Sequence, residues 1–295
     1  MPRLVLRSHP AQRPDRRSGS RPAGLFRPGR VGSVSAAAAL VLAMTAPSGA
    51  AALTPTPGEP AVRGVASLVL GHPDTAAARQ AVASAVDVAV GRVTAIWGPG
   101  WSRQVTVVLP DTQQEASDLL GPGVDLDRLA AVATADRVVL NPRTFPTLSA
   151  VGSNLVLTHE VMHLASRAAT GPHTPLWLVE GLADYAGYQG LGVPLGVAAA
   201  ELRAELQRGE AVTTLPSRAD FDGANPELAA SYEQAWLAVV RIVERYGQTR
   251  LLALYRAIGA ARSAAGADLA FRSVLGTTRA AFEQEWAAHL TAVVR

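Results

Sequence analysis

Apolar and polar positions alternate at helical spacing from Thr75 to Trp97. Asp74 or Thr75 caps this stretch and Gly98-Pro99-Gly100 stops it, so it predicts a helix. The pattern then shortens. Gln104 to Leu109 (QVTVVL) is brief and β-branched, a strand. Asp111 to Leu120 predicts a short helix ended by Gly121-Pro122. Ala131 to Thr134 and Arg137 to Leu140 flank Ala135-Asp136 and predict a hairpin, closed by Asn141-Pro142. Beyond it the apolar period is helical throughout, near 149–169, 175–189, 194–208, 226–246, 248–259, 266–275 and 278–294. Gly171, Gly209, Gly247 and Gly276 stand where helices close on glycine. A helix, a small sheet and then helices only predict an α+β protein. Its N-terminal part is mixed to about residue 170 and its C-terminal part is helical, with a cleft between the halves as the natural site.

The first 52 residues read differently. Residues 1–30 are rich in arginine and proline, Val31 to Met44 is a short apolar run, and Pro47 to Ala52 supplies small residues for cleavage. This predicts an export segment over 1–52, too short in its apolar run for a comfortable membrane span. A Thr/Pro/Gly-rich linker follows over 53–62, then one folded domain over 63–295. The mature protein is expected outside the cytoplasm, secreted or in the cell envelope, with no stable membrane span. Arg16-Arg17 hints at a twin-arginine signal, but its surroundings fit poorly.

Charge supports that division. The net charge of +3 is an average of two unlike parts: residues 1–50 hold eight arginines against one acid, Asp15, while the rest holds 19 arginines against 23 acids. The basic excess sits in the segment expected to be removed, so it does not argue for nucleic-acid binding. The chain has no lysine, and its lack of cysteine excludes disulfides, thiolate metal sites and a cysteine nucleophile.

Candidate chemistry begins at Thr158-His159-Glu160-Val161-Met162-His163. Inside a helix, residues four apart share a face, so His159 and His163 can offer two imidazole nitrogens to one ion. Glu160 lies near the same edge, within reach of a water that the ion activates. The ion this pattern suits is Zn²⁺, which needs a third protein ligand and one open position. The spacing that would make the third ligand a histidine six residues on fails, because Ser166 and Ala169 stand where glycine and histidine are required. His173, Glu180 and Asp184 remain. His173 sits between Pro172 and Pro175 in the turn. Glu180 is the better ligand: Thr174-Pro175 starts a second helix, with proline at its first position, and a turn of that length folds it antiparallel to the first. Asp184, one turn beyond Glu180, is placed to accept the other ring N–H of a ligand histidine.

His159 to His163, followed by Trp177-Leu178-Val179-Glu180-Gly181-Leu182-Ala183-Asp184-Tyr185, resembles the peptidase MA-like gluzincins, whose catalytic cores are those of thermolysin and the M1 aminopeptidases. The resemblance is strong over 155–188. It extends to Ser231-Tyr232-Glu233-Gln234-Ala235-Trp236 and, weakly, to Ala281 to Trp286. It implies a zinc metallopeptidase: zinc on His159, His163 and Glu180, Glu160 as general base, and a peptide or protein substrate. It also implies Tyr232 as donor to the oxyanion, with Tyr185 and His173 as rivals, and an edge strand at Ala131 to Thr134 that binds substrate backbone. Two alternatives stay open: a catalytically silent zinc-binding domain of the cell envelope that binds peptides, and a non-peptidase hydrolase using the same zinc core. Cleavage preference and oligomeric state are not legible.

Overall fold

The computed structural model describes residues 60–294, so the export segment and most of the linker lie outside the described residues. The architecture is α+β, as expected, with a small mixed sheet first and a helical part after it. Strand β1 (Ala61–Arg63) and strand β2 (Ser67–Gly71) form a hairpin, followed by helix α1 (Ala76–Trp97), strand β3 (Val105–Leu109) and helix α2 (Gln113–Leu120). Strands β4 (Ala131–Ala133) and β5 (Arg137–Leu140) make a second hairpin. The sheet order is β1-β2-β3-β5-β4. Its centre is parallel, β2 on β3 and β3 on β5, and each edge is antiparallel. The pattern had not suggested β1 and β2, and β1 starts inside the last two residues read as linker.

α1 packs on the sheet and on helix α3 (Ala150–Ser166). Val82, Val86, Val90, Val93 and Trp97 form its buried stripe at three- and four-residue spacing. On α1, Asp87 accepts hydrogen bonds from the Val65 and Ala66 amides and the Ser67 hydroxyl, which pins the β1–β2 hairpin to the helix. The far hairpin is closed by Asn141, fully buried, whose amide donates to the Leu126 and Leu129 carbonyls. Those bonds satisfy loop carbonyls that burial would otherwise strand.

α3 opens on a Ser149 cap that accepts from the Gly152 amide. From Leu155 to His163 it is buried on every side, so the helix threads the core rather than lying on it. Helix α4 (Leu176–Tyr188) returns beside it, then come α5 (Leu195–Ala198), α6 (Ala200–Gln207), α7 (Leu228–Tyr246), α8 (Gln248–Gly259), α9 (Ala264–Ala270), a π turn over Phe271–Leu275, and α10 (Arg279–Val294). The segment read as one helix over 194–208 is two, broken at Ala199. Pro175 is the cap of α4 rather than its first residue. Gly209, Gly247 and Gly276 have the positive φ of helix-closing glycines, but Gly171 does not. Gly171 is small for another reason: a Cβ there would lie 2.0 Å from the Gly259 carbonyl oxygen, where the turn after α3 meets α8. No helix among the described residues is long and apolar enough to cross a membrane.

Candidate metal centre

Three helices and one strand build the site. α3 supplies His159, Glu160 and His163, α4 supplies Glu180 and Asp184, α7 supplies Tyr232, and β4 supplies a backbone N–H. The fold lets α4 and α7 approach very closely because residue 181 is glycine. A Cβ there would stand 2.3 Å from the Ala235 carbonyl oxygen.

His159, His163 and Glu180 offer three ligand atoms that converge. The two histidine Nε2 atoms are 3.0 Å apart, and Glu180 Oε2 is 3.4 Å from each. At 3.4 Å neither histidine makes a good hydrogen bond to Glu180, and both oxygens of that fully buried carboxylate lack a donor. An orphaned buried carboxylate is costly unless something positive satisfies it. Tetrahedral zinc, with arms of about 2.0–2.1 Å, sets its ligands about 3.3 Å apart. The observed separations fit that ion.

The tautomer fits as well. Asp184 Oδ1 lies 2.8 Å from His159 Nδ1. In the neutral form that a metal ligand takes, the Nδ1–H donates to the carboxylate and the Nε2 lone pair faces inward. Burial works against charge on His159, but the charge and hydrogen bond of Asp184, with Glu180 behind them, push its pKa well above the usual histidine value. Burial alone would raise Glu180; the histidines beside it hold its carboxyl down to about 2. Glu160 and Asp184 are both raised, chiefly by burial, against the pull of the histidines. Three buried carboxylates thus share one space with two imidazoles, an arrangement that a divalent cation balances.

Glu160 stays off the ligand triangle. Its Oε2 accepts the Ala133 N–H at 2.7 Å, which fixes the carboxylate between the triangle and the edge of the sheet. The Tyr232 hydroxyl is buried and has no hydrogen-bond partner. Burial, with the charges of Glu180, Asp184 and Glu160, pushes its pKa well above the usual phenol value, which keeps it a donor. The rivals lie elsewhere. Tyr185 donates to Gln248 Oε1. His173 lines a separate recess of about 100 Å³ with Ile258, Asp268, Phe271 and Arg279. Sequence reasoning missed Phe221, whose ring stands edge-on to Tyr232 at 5.2 Å. It also missed the Ala133 amide, which only the hairpin register reveals.

No family profile matches the chain, and no curated protein matches it with significance. Among solved structures, the chain is similar to an M1 zinc metallopeptidase mutant from Deinococcus radiodurans bound to a Tyr-Ser-Ala substrate. The identity is 17% and the TM-score 0.39, over 77% of this chain and 50% of that one. This chain therefore spans about half the length of that enzyme.

Proposed function

We propose that this chain is a zinc-dependent peptidase, with His159, His163 and Glu180 holding the metal and Glu160 as general base. The observation that carries the reading is the convergence of two imidazole nitrogens on an unpartnered buried carboxylate, with a second, unligated carboxylate one residue from the first histidine. Bound zinc would acidify water and polarise the scissile carbonyl.

The protein's own groups supply the rest. Glu160 keeps one oxygen on the Ala133 amide and uses the other to take a proton from the attacking water and pass it to the leaving amine. Tyr232 donates its free hydroxyl to the developing oxyanion. The register of β4 on β5 bonds residues 130, 132 and 134 inward to β5. The N–H and C=O of Ala131 and the C=O of Ala133 therefore point to the open edge, where an extended peptide can add as a strand.

The test is Glu160→Gln, which keeps shape but cannot accept a proton. The variant should bind zinc as the parent does and lose at least ~10²-fold in rate on a mixed peptide pool, the lower range for one general base. The loss should fall on kcat with KM little changed. Equal cleavage by both proteins would remove Glu160 from the mechanism, and no cleavage by either would favour a silent peptide-binding domain. We further assign the site of action outside the cytoplasm, from the apolar run and small residues of 31–52. Protein found only inside the cell, still beginning at Met1, would overturn that.

A further inference from the structure

The centre just described is closed. His159, Glu160, Glu180 and Tyr232 are 0–2% exposed, and His163, at 8%, is the most open of the set. Ala131 and Ala133, whose backbone would meet a peptide, are buried too. A peptide cannot reach these groups unless something moves.

The connection between α6 and α7, residues 208–227, has the properties of that element. Of its side chains only Leu215, Pro216 and Phe221 are buried. Apart from Glu227, whose carbonyl accepts from the Ser231 hydroxyl and whose carboxyl is hydrogen-bonded to Glu205, its side-chain hydrogen bonds stay within the segment. Ser217 N–H donates to Asp220 Oδ2, Ala224 N–H to Asp222 Oδ1, the Asn225 amide to the Asp220 carbonyl, and Glu227 N–H to Asn225 Oδ1. Its two ends are neighbours, with the Arg208 guanidinium 3.9 Å from the Glu227 carboxylate. A compact loop with adjacent ends, folded on itself, can swing as a unit. Gly209 at its start has φ +85°, a conformation most residues avoid. One contact joins it to the chemistry: Phe221, on a short 3₁₀ turn, stands edge-on to Tyr232.

We propose that the 208–227 loop is the gate of the metal centre and that Phe221 is its latch, a positioning residue that sets the Tyr232 ring as the loop closes. This rests on the metal-centre reading. Closure excludes water from Glu160 and the ligand atoms. It also packs Phe221 against the Tyr232 ring, so that the hydroxyl is aligned only when the site is shut.

Two measurements on the full chain test this. The first is the rate at which 1,10-phenanthroline strips zinc from the loaded protein. Phe221→Ala should raise that rate roughly tenfold, the factor one edge-to-face ring contact supplies, with zinc stoichiometry unchanged. Phe221→Leu should restore much of the difference. Phe282→Leu, in the buried contact with Phe271, controls for general loosening and should not accelerate release. On peptides, Phe221→Ala should lower kcat more than it changes KM. Release from Phe221→Ala at the parent's rate, or equal acceleration by Phe282→Leu, would overturn the gate. The second measurement needs no metal. Backbone hydrogen exchange of metal-free protein should show amides 209–227 opening together, far faster than those of α7. Protection there equal to that of α7 would sink the gate whether or not zinc binds.

Discussion

Gly181→Ala adds one methyl group at the point where the helix of Glu180 touches the helix of Tyr232. The new Cβ would stand 2.3 Å from the Ala235 carbonyl oxygen, 2.7 Å from its carbon and 2.8 Å from Val239 Cγ2. Ordinary contact needs about 1 Å more. The nearest obstacle is backbone, so no rotamer change relieves it, and α4 and α7 must part. Overpacking of this kind costs about 1–3 kcal/mol, while alanine in place of a helical glycine returns about 0.5–1 kcal/mol. The net expectation is a loss of about 1–2 kcal/mol. Because Glu180 is the adjacent residue, its carboxylate shifts against the two histidines, and zinc affinity falls as well. Gly91→Ala in α1 isolates the propensity part. It gains the same helical preference with nothing within 4 Å of the new Cβ, so it should stabilise the protein by about 0.5–1 kcal/mol and leave zinc binding alone. Urea unfolding of the metal-free proteins, with a zinc competition titration, compares the three. If Gly181→Ala matched Gly91→Ala in stability and the parent in affinity, the close approach of α4 and α7 would not be what sets the site.

Two further outcomes follow from neighbouring groups. Glu180→Ala should lose zinc, whereas Asp184→Ala, which removes the acceptor from His159 Nδ1, should weaken it by about 10–100-fold. Elemental analysis after dialysis reads both, and full retention by Glu180→Ala would refute the ligand set. Burial, and then the Glu201 carboxyl beside it, raise Glu233 to about 9 from an ordinary 4.5. The folded chain therefore keeps a proton that the unfolded chain releases. Stability from this group is complete below the lower value and declines by up to about 1.4 kcal/mol per pH unit until the upper one. Glu233→Gln cannot ionise and should flatten that decline in denaturant midpoints measured across the window; an unchanged slope would show that Glu233 is ionised in the fold.

The sequence reading succeeded where a local rule carries the information. His159 and His163 share a face because helices repeat every 3.6 residues. Glu180 and Asp184 could be placed because the turn before them announces a helix start. Two strands were missed because their signal is thin: β1 is three residues long, and Leu68-Val69-Leu70 is a short apolar run with no polar alternation. The break at Ala199 has no glycine or proline to mark it. Gly171 looked like a helix end because glycine serves two purposes, and only the approach of α8 shows which one applies. Phe221 was invisible for the same reason: nothing in its exposed, polar loop says that one ring will turn inward onto Tyr232.

α4 shows where the needs of the fold and of the site diverge. Trp177, Leu178, Val179, Leu182 and Ala183 are buried and would make a core helix unaided. For packing alone, positions 180 and 184 would be served as well by apolar residues of similar size, since replacing buried ionic groups that way is often neutral or stabilising. The chain instead buries two carboxylates there. The side chains set against them are histidines, which are neutral as ligands, and the chain has no lysine to offer. Gly181, between the acids, forgoes helix propensity to let α7 bring Tyr232 close. Two buried acids and a glycine in one apolar helix each break a local rule. Such departures collect at functional sites: a cation between α3 and α4 would balance the two acids, and the close approach of α7 accounts for the glycine.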